Sequence, residues 1–572
     1  MSQTPVFKDD ISVVLCGAAG QGVQTVEQLL THLLKQAGYN LYSTKEYMSR
    51  VRGGSNSTEL RVASYPVQAY VDRIDILFPL NREALNHVAK RITPSTVILG
   101  ERAKLVSETD DSYTVIDIPL TDIAGEIGGA IFSNIIATGV IAALFGIERS
   151  AIDEYLKKRF GSKGESIVTK NIEAAGRGCD IGDSLLSSGR ISVELETNDT
   201  VGDDIIISGG EAIGMGAIAG GCNFISSYPM TPSTPVLTFL AGQSNTFSII
   251  AEQAEDEIAA VNMAIGAWYA GARAMVTTSG GGFALMEEGI SLAGIIESPL
   301  VVHLAQRPGP ATGLPTRTEQ GDLDLVLYSG HGEFPRVIYA PGDLNEAFHL
   351  TRKAFEIADT YQIPVFLLTD QYLIDSYYNI QKLDISGINV ENHIVRTGKD
   401  YRRYSLTETG ISPRGVPGYG EGLVVVDSDE HDEYGHITED HDVRVCMVDK
   451  RLRKIEPLID EALPPKLLGS SDYTTLIVCW GSTYTVVREA VDDLGRDDIA
   501  LLHFSQVYPL HRDTAPFFER AKRTIVIEGN ATSQFARILK IHAGIEEIET
   551  ITKYNGLAFS VEEVVAELNG IL

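Results

Sequence analysis

Along the first 190 residues, short apolar runs alternate with amphipathic ones. Ile11–Leu15 has the length and β-branched content of a buried strand. The run VEQLLTHLLKQAG that follows puts Leu29, Leu30, Leu33 and Leu34 on one helical face. VILG (97–100) and YTVIDIPL (113–120) continue the alternation, which predicts a layered α/β domain. The Ser-, Thr-, Gly- and Asp-rich stretch 184–204 reads as a linker.

A second block, 201–395, alternates glycine-rich helices with short buried strands: AMVTTSG, LVVHLAQ and PVFLLTD. A third, 470–572, repeats the pattern with TTLIVCWGS, a helix near TVVREAVDDL, IALLHFS and RTIVIEGN. Between them, 396–450 is polar and without periodicity, containing ISPRGVPGYGEG and DSDEHDEYGHITEDHD. No short-period repeat is present.

A length of 572 residues fits three or four domains, and 44% hydrophobic content supplies several cores. With 47 basic against 77 acidic residues the net charge is −30, which argues against nucleic acid or an anionic membrane as partner. The N-terminal segment lacks the basic and apolar parts of a signal peptide, so the expected location is the cytoplasm. Residues 127–147 carry no charge, but their glycines and polar side chains predict a buried helix rather than a membrane span. The cysteines, Cys16, Cys179, Cys222, Cys446 and Cys479, are too scattered to form a CxxC pair for zinc or an iron–sulfur cluster. They are expected to be reduced.

Several segments carry candidate chemistry. Gly17-Ala-Ala-Gly20-Gln-Gly22 joins a strand to a helix, where backbone N–H groups suit an anion. Its glycine spacing reverses that of the dinucleotide fingerprint, so a tight strand–helix turn is the preferred reading over a dinucleotide site. Arg50 and Arg52, beside Gly53 and Gly54, form either a solvated loop or an anion-binding one. Tyr228-Pro-Met-Thr-Pro-Ser-Thr-Pro235 fixes the backbone with three prolines and so holds the hydroxyls of Thr231 and Ser233 in place for a small carbonyl or carboxylate. Glu252, Glu255 and Glu257 precede a helix of small residues; acids at a helix start satisfy its dipole, yet one entering a tightly packed helix gains a raised pKa suited to proton work. TTSGGGF (277–283) is a close-backbone turn, and Arg307 stands at a strand end before a rigid loop, where a guanidinium can pair with a carboxylate. The acidic run 427–440 lacks the glycine and terminal Glu of an EF-hand loop, and a structural or docking role is the preferred reading over a metal site.

Taken in order, YP-x-TP, EDEIAAVNMAIGAWYAGARA, TTSGGG and QRPGPATGLPT-x-T-x-QGD resemble the pyrimidine-binding domain of the thiamine diphosphate-dependent 2-oxoacid:ferredoxin oxidoreductases. The likeness extends to VCWGSTYTVVREA, VYPL and VIEGNATSQFARILK, and so covers nearly the whole chain. It implies a multidomain α/β protein: a gamma-like domain at 1–190, fused to a pyrimidine-binding domain at 201–395, an irregular connection at 396–469, and a transketolase C-terminal-like domain at 470–572. It further implies that Glu257 hydrogen-bonds the cofactor's aminopyrimidine, that Thr231 lies near the substrate carbonyl with Ser233 beside it, and that Arg307 holds the substrate's C1 carboxylate. No GDG…Asn motif for Mg²⁺ and diphosphate is present, and no cysteine cluster. The resemblance therefore places thiamine diphosphate with Mg²⁺ and a 4Fe-4S cluster on a separate beta subunit, in an (alpha-beta)2 heterotetramer that passes electrons to ferredoxin. Coenzyme A is the implied co-substrate, with Gly20, Gly22, Arg50 and Arg52 as candidates for its phosphates.

The fused arrangement and the ISPR-x-x-PG and DEHDE segments are most similar to the 2-oxoglutarate enzymes, which predicts succinyl-CoA and CO2 as products and a reversible reaction. Pyruvate, branched-chain and broad-range specificities stay open, as do a nucleotide-linked dehydrogenase using the first glycine loop and a non-catalytic scaffold.

Overall fold

The computed structural model of the protein describes residues 4–18, 23–47, 55–105 and 113–572. The chain forms two compact units. One comprises Met1–Ile207 with Ser376–Leu383 and Ser560–Glu563; the other comprises Ser208–Asp375, Asp384–Phe559 and Val564–Leu572.

The first unit is built on a mixed eight-stranded sheet. Its strand Asp10–Ala18 pairs antiparallel with Ser55–Ala63 and parallel with Ile76–Pro79. The helix Val23–Gln36 lies on this sheet, and Leu29, Leu30, Leu33 and Leu34 are all at most 1% exposed, as the periodicity predicts. The charge-free run contains the helix Ser133–Leu144, buried from Asn134 onward. It packs against Glu165–Ser187 through glycine: a Cβ on Gly139 or Gly178 would fall within 3.0 Å of a backbone carbonyl of the facing helix. The glycines of that run thus let two helix backbones touch. No single helix among the described residues is long and apolar enough to cross a membrane.

Two features depart from the sequence-based expectation. The stretch 184–204, expected to be a linker, contains the end of the helix Glu165–Ser187, the strand Ser192–Glu194 and the turn Asp199–Asp203. Tyr377–Ile380, assigned from sequence to the second block, pairs instead with Asn40–Glu46 in the first unit's sheet. Register between strands more than 300 residues apart has no local signature.

In the second unit, seven strands run in the order Ile250–Gln253, Phe224–Ser227, Ala274–Thr278, Leu300–Gln306, Pro364–Asp370, Val337–Tyr339 and Gln506–Tyr508. All neighbours are parallel except the last pair. Helices cover the central strands, which are buried along their whole length and therefore read as continuous apolar runs. Residues 466–552 form a five-stranded sheet, parallel but for its edge strand Lys466–Gly469.

Residues 381–440 are largely irregular, but the connecting segment then forms the helix His441–Leu452, which sequence polarity hid. Asp440 caps it, and its Lys450 is fully buried. There Lys450 donates to Glu297 at 2.6 Å and Lys454 forms an ion pair with it at 2.6 Å, while Arg403 donates to the Glu297 backbone carbonyl at 2.7 Å. The acidic run is held in the same way: Glu430 pairs with Arg444 and Arg451, Glu433 with Arg402, and the His431 ring lies tilted against Tyr404 with centroids 3.9 Å apart. No cluster of three or more His, Cys, Asp or Glu suited to a metal occurs among the described residues. The five cysteines are free thiols, all buried except Cys446.

Candidate active site

The site lies at the C-terminal ends of parallel strands in the second unit, where chain reversals leave room for a ligand. Ala274–Thr278 ends in a glycine turn, Gly280–Phe283, that has no side chains of its own until Phe283. Two carboxyl groups use the space this leaves. Glu257 packs against Gly282 and Asp322 against Gly280, each so closely that a Cβ on the glycine would come within 3.0 Å of carboxylate oxygen.

Glu257 is the first residue of the helix Glu257–Tyr269, whose N-cap Asp256 accepts from the Ala259 amide at 2.7 Å. Because Asp256 caps the helix, Glu257 is released from that role and turned inward; it is 3% exposed, whereas Glu252 and Glu255 are exposed. Its Oε1 has no hydrogen-bond partner among the described residues, and burial raises its pKa above the usual carboxylate value. The small residues beneath it, Ala260 and Ala264, allow the helix to sit tightly on the strands, where Ser226 donates to the Ala260 carbonyl at 2.7 Å.

Arg307 follows the strand Leu300–Gln306 and donates to the Thr231 carbonyl at 2.6 Å, so the proline-bounded loop and the arginine are joined directly. Its Nε is buried without a partner, no carboxylate pairs with it among the described residues, and burial lowers its pKa. Thr231 and Ser233 differ in role. The Ser233 hydroxyl is buried and donates back to the Met230 carbonyl at 2.7 Å, whereas the Thr231 hydroxyl makes no hydrogen bond among the described residues. Under the site, His303 bridges the hydroxyls of Thr277 at 2.7 Å and Thr369 at 2.8 Å; its pKa, lowered to about 3 by burial, keeps the ring neutral as a tie between strands.

Asp322, the last residue of the QGD run, places a second carboxyl at the site. The Gln306 side chain holds it in place by accepting from the Asp322 amide at 2.9 Å and donating to the Thr369 carbonyl at 3.1 Å. Gln534 donates to the adjoining Gly321 carbonyl at 2.8 Å. Of eleven buried side-chain polar atoms without a hydrogen-bond partner among the described residues, four belong to this group: Glu257 Oε1, Ser279 Oγ, Arg307 Nε and Asp322 Oδ2. Buried polar atoms are ordinarily paired, so this concentration marks a place built to receive polar ligand atoms. Beside the Glu257 helix, a concavity of about 710 Å³ lined by Ile258, Asn262, Leu285 and His331 leaves Ile258 and Leu285 half exposed. The candidates Gly20, Gly22, Arg50 and Arg52 lie outside the described residues.

Residues 215–450 match the family described as pyruvate flavodoxin/ferredoxin oxidoreductase, thiamine diphosphate-binding, and residues 12–181 match pyruvate ferredoxin/flavodoxin oxidoreductase. The 2-oxoacid:ferredoxin oxidoreductase subunit alpha of a Sulfolobus species is 30% identical over 97% of this chain and 96% of its own length. The 2-oxoglutarate oxidoreductase subunit KorA of Mycobacterium tuberculosis is 26% identical over 97% of this chain and 90% of its own. In three dimensions the chain is similar to the 2-oxoglutarate:ferredoxin oxidoreductase of Magnetococcus marinus, solved with 2-oxoglutarate, coenzyme A and succinyl-CoA bound. The TM-score is 0.92 at 30% identity, covering 99% of this chain and 100% of the other.

Proposed function

Since the chain belongs to the alpha subunits of the 2-oxoacid:ferredoxin oxidoreductases, we propose that its substrate is 2-oxoglutarate. The reaction is oxidative decarboxylation with coenzyme A to succinyl-CoA and CO2, with electrons passing to ferredoxin, and it runs in reverse to fix CO2 when ferredoxin is sufficiently reducing. Support for this substrate comes from the ligands of the Magnetococcus marinus enzyme and the name of the mycobacterial relative.

The observation that carries the reading is the buried, unpartnered Glu257 carboxyl resting on Gly282. Such a group fits the ring nitrogen of an aminopyrimidine, with which it can share a proton. Thiamine diphosphate, when bound, supplies a carbon nucleophile for the 2-oxo group and an electron sink for the loss of CO2. The chain's own residues bind and orient. Glu257 holds or releases a proton at Oε1, Arg307 offers its charge to the C1 carboxylate, and the Thr231 hydroxyl donates to the substrate carbonyl.

Neither a diphosphate–Mg²⁺ motif nor clustered cysteines occur in the sequence, so the working enzyme includes a beta subunit that anchors thiamine diphosphate with Mg²⁺ and carries a 4Fe-4S cluster. The half-exposed apolar side chains Ile258 and Leu285 beside the Glu257 helix suit burial against such a partner, in an (alpha-beta)2 assembly in the cytoplasm. Arg50 and Arg52 are the sequence's candidates for the phosphates of coenzyme A. The test is a panel of 2-oxoacids offered to the chain assembled with its beta subunit, read as viologen reduction. Fastest turnover with 2-oxoglutarate is expected, and fastest turnover with pyruvate would reject the substrate assignment.

A further inference from the structure

Asp322 has no part in the chemistry above, yet it is placed as deliberately as Glu257. Its carboxyl fills the space over Gly280, its Oδ2 is buried without a partner among the described residues, and its backbone is fixed by Gln306. The charged groups facing it are few. Arg307, after the strand Leu300–Gln306, and Glu319, on the same loop as Asp322, act on it through their charge without a direct contact, while the Gly280–Phe283 turn brings no charge. Glu257 lies beyond Gly282, and Asp324, on the helix that Asp322 begins, is paired with Arg537.

An ionised Asp322 beside Arg307 would cancel the charge that a substrate carboxylate needs and would repel the carboxylate itself. A neutral Asp322 does neither. We propose that Asp322 is a positioning residue acting through Arg307, and that a proton on its carboxyl is required for tight binding of the 2-oxoacid. This deepens the assignment of Arg307 to the substrate carboxylate and rests on it. Burial and Glu319 together push the Asp322 pKa up to about 7, against the opposing pull of Arg307. The carboxyl is therefore mostly protonated below neutrality and ionises above it. A bound anion raises this pKa further, so substrate binding near neutral pH takes up a proton.

The test uses the chain assembled with its beta subunit, thiamine diphosphate and Mg²⁺, at saturating coenzyme A. From pH 6.5 to 8.5 the KM for the 2-oxoacid is expected to rise about tenfold while kcat changes much less, and Asp322→Asn, which cannot ionise, flattens the rise. Titration calorimetry in buffers of different ionisation enthalpy is expected to show proton uptake on 2-oxoacid binding by the wild type near pH 7.5. A flat wild-type KM, an unaltered slope in Asp322→Asn, or binding without proton uptake would overturn the inference. Should Asp322→Asn fail to assemble, the wild-type proton count decides alone. Arg307→Ala separates the two levels: an unchanged KM in that variant defeats the carboxylate assignment itself, whereas a raised KM with no effect of Asp322 on the pH profile defeats only the role of Asp322.

Discussion

The carboxyl of Glu257 lies directly on the Cα of Gly282, with no space between them for a methyl group. A Cβ there would also collide with the Thr278 hydroxyl. Gly282→Ala is therefore expected to displace Glu257 and lower kcat at least about tenfold, since small misplacements of a reacting group are costly. Gly281→Ala, whose added carbon would sit 3.6 Å from the Ala311 carbonyl oxygen, is expected to stay within about twofold of the parent. Steady-state rates of the two variants compare the positions directly, and equal rates would remove the significance of the contact.

Glu257→Gln keeps the shape of the side chain and removes its proton transfer, so kcat is expected to fall by roughly 10²-fold or more. Stability moves the other way. The folded-state pKa of Glu257 is raised by burial, so the native state holds its proton more tightly than the unfolded chain and loses stability as pH rises past the ordinary carboxylate range. The glutamine variant avoids that penalty. Its melting temperature at neutral pH is expected to be about 1–3 °C higher, measurable by scanning calorimetry.

Arg307→Ala is expected to raise the KM for the 2-oxoacid by about 10²-fold, because a guanidinium–carboxylate pair is strong where water is excluded. Arg307→Lys should recover only part of this, since an ammonium keeps the charge without the paired geometry. Saturation curves for the two variants check the order.

The Glu297 cluster predicts a purely structural effect. Glu297→Ala leaves Lys450 and Lys454 buried without a counter-charge, and the expected loss is about 3–5 kcal/mol in denaturant unfolding. The neighbouring cations hold the Glu297 pKa well below its usual value, so its contribution is present above pH 4.5 and is lost as pH falls toward the folded-state value. Lys450, lowered to about 8, shows that burial opposes charge on the other side of the pair.

In the acidic run, Glu430 and Glu433 are engaged with arginines and Asp440 with a helix start. A chelator is therefore expected to shift the melting temperature of the isolated chain by less than about 1 °C. A larger drop, restored by calcium, would show a metal site there.

Much of the fold was legible because its signals are local. Leu29, Leu30, Leu33 and Leu34 repeat at helical spacing, and the strands Ala274–Thr278, Leu300–Gln306 and Pro364–Asp370 are continuous apolar runs because both faces are covered. The small-residue helix marked the acidic cluster but left its three glutamates equivalent; the family resemblance pointed to Glu257, and the structure buries that one alone of the three. Asp322 escaped notice because its burial depends on Gly280, on Gln306 and on a turn closed by residues around 530, which are distant in sequence. The helix His441–Leu452 escaped because the residues it buries include Lys450 and Arg451, which read as a solvated face. The hydroxyl of Ser233 donates within its own loop to the Met230 carbonyl, a bond between residues three apart that the sequence does not display.

The first unit's sheet includes Tyr377–Ile380 between Asn40–Glu46 and Ile205–Ser208. A gene truncated after residue 207 would encode most of that unit but would leave Asn40–Glu46 with an open row of amide and carbonyl groups. Such an edge recruits other chains. The amino-terminal third, expressed as a separate fragment, thus faces self-association, and a design that divides this polypeptide has to return the missing strand from elsewhere.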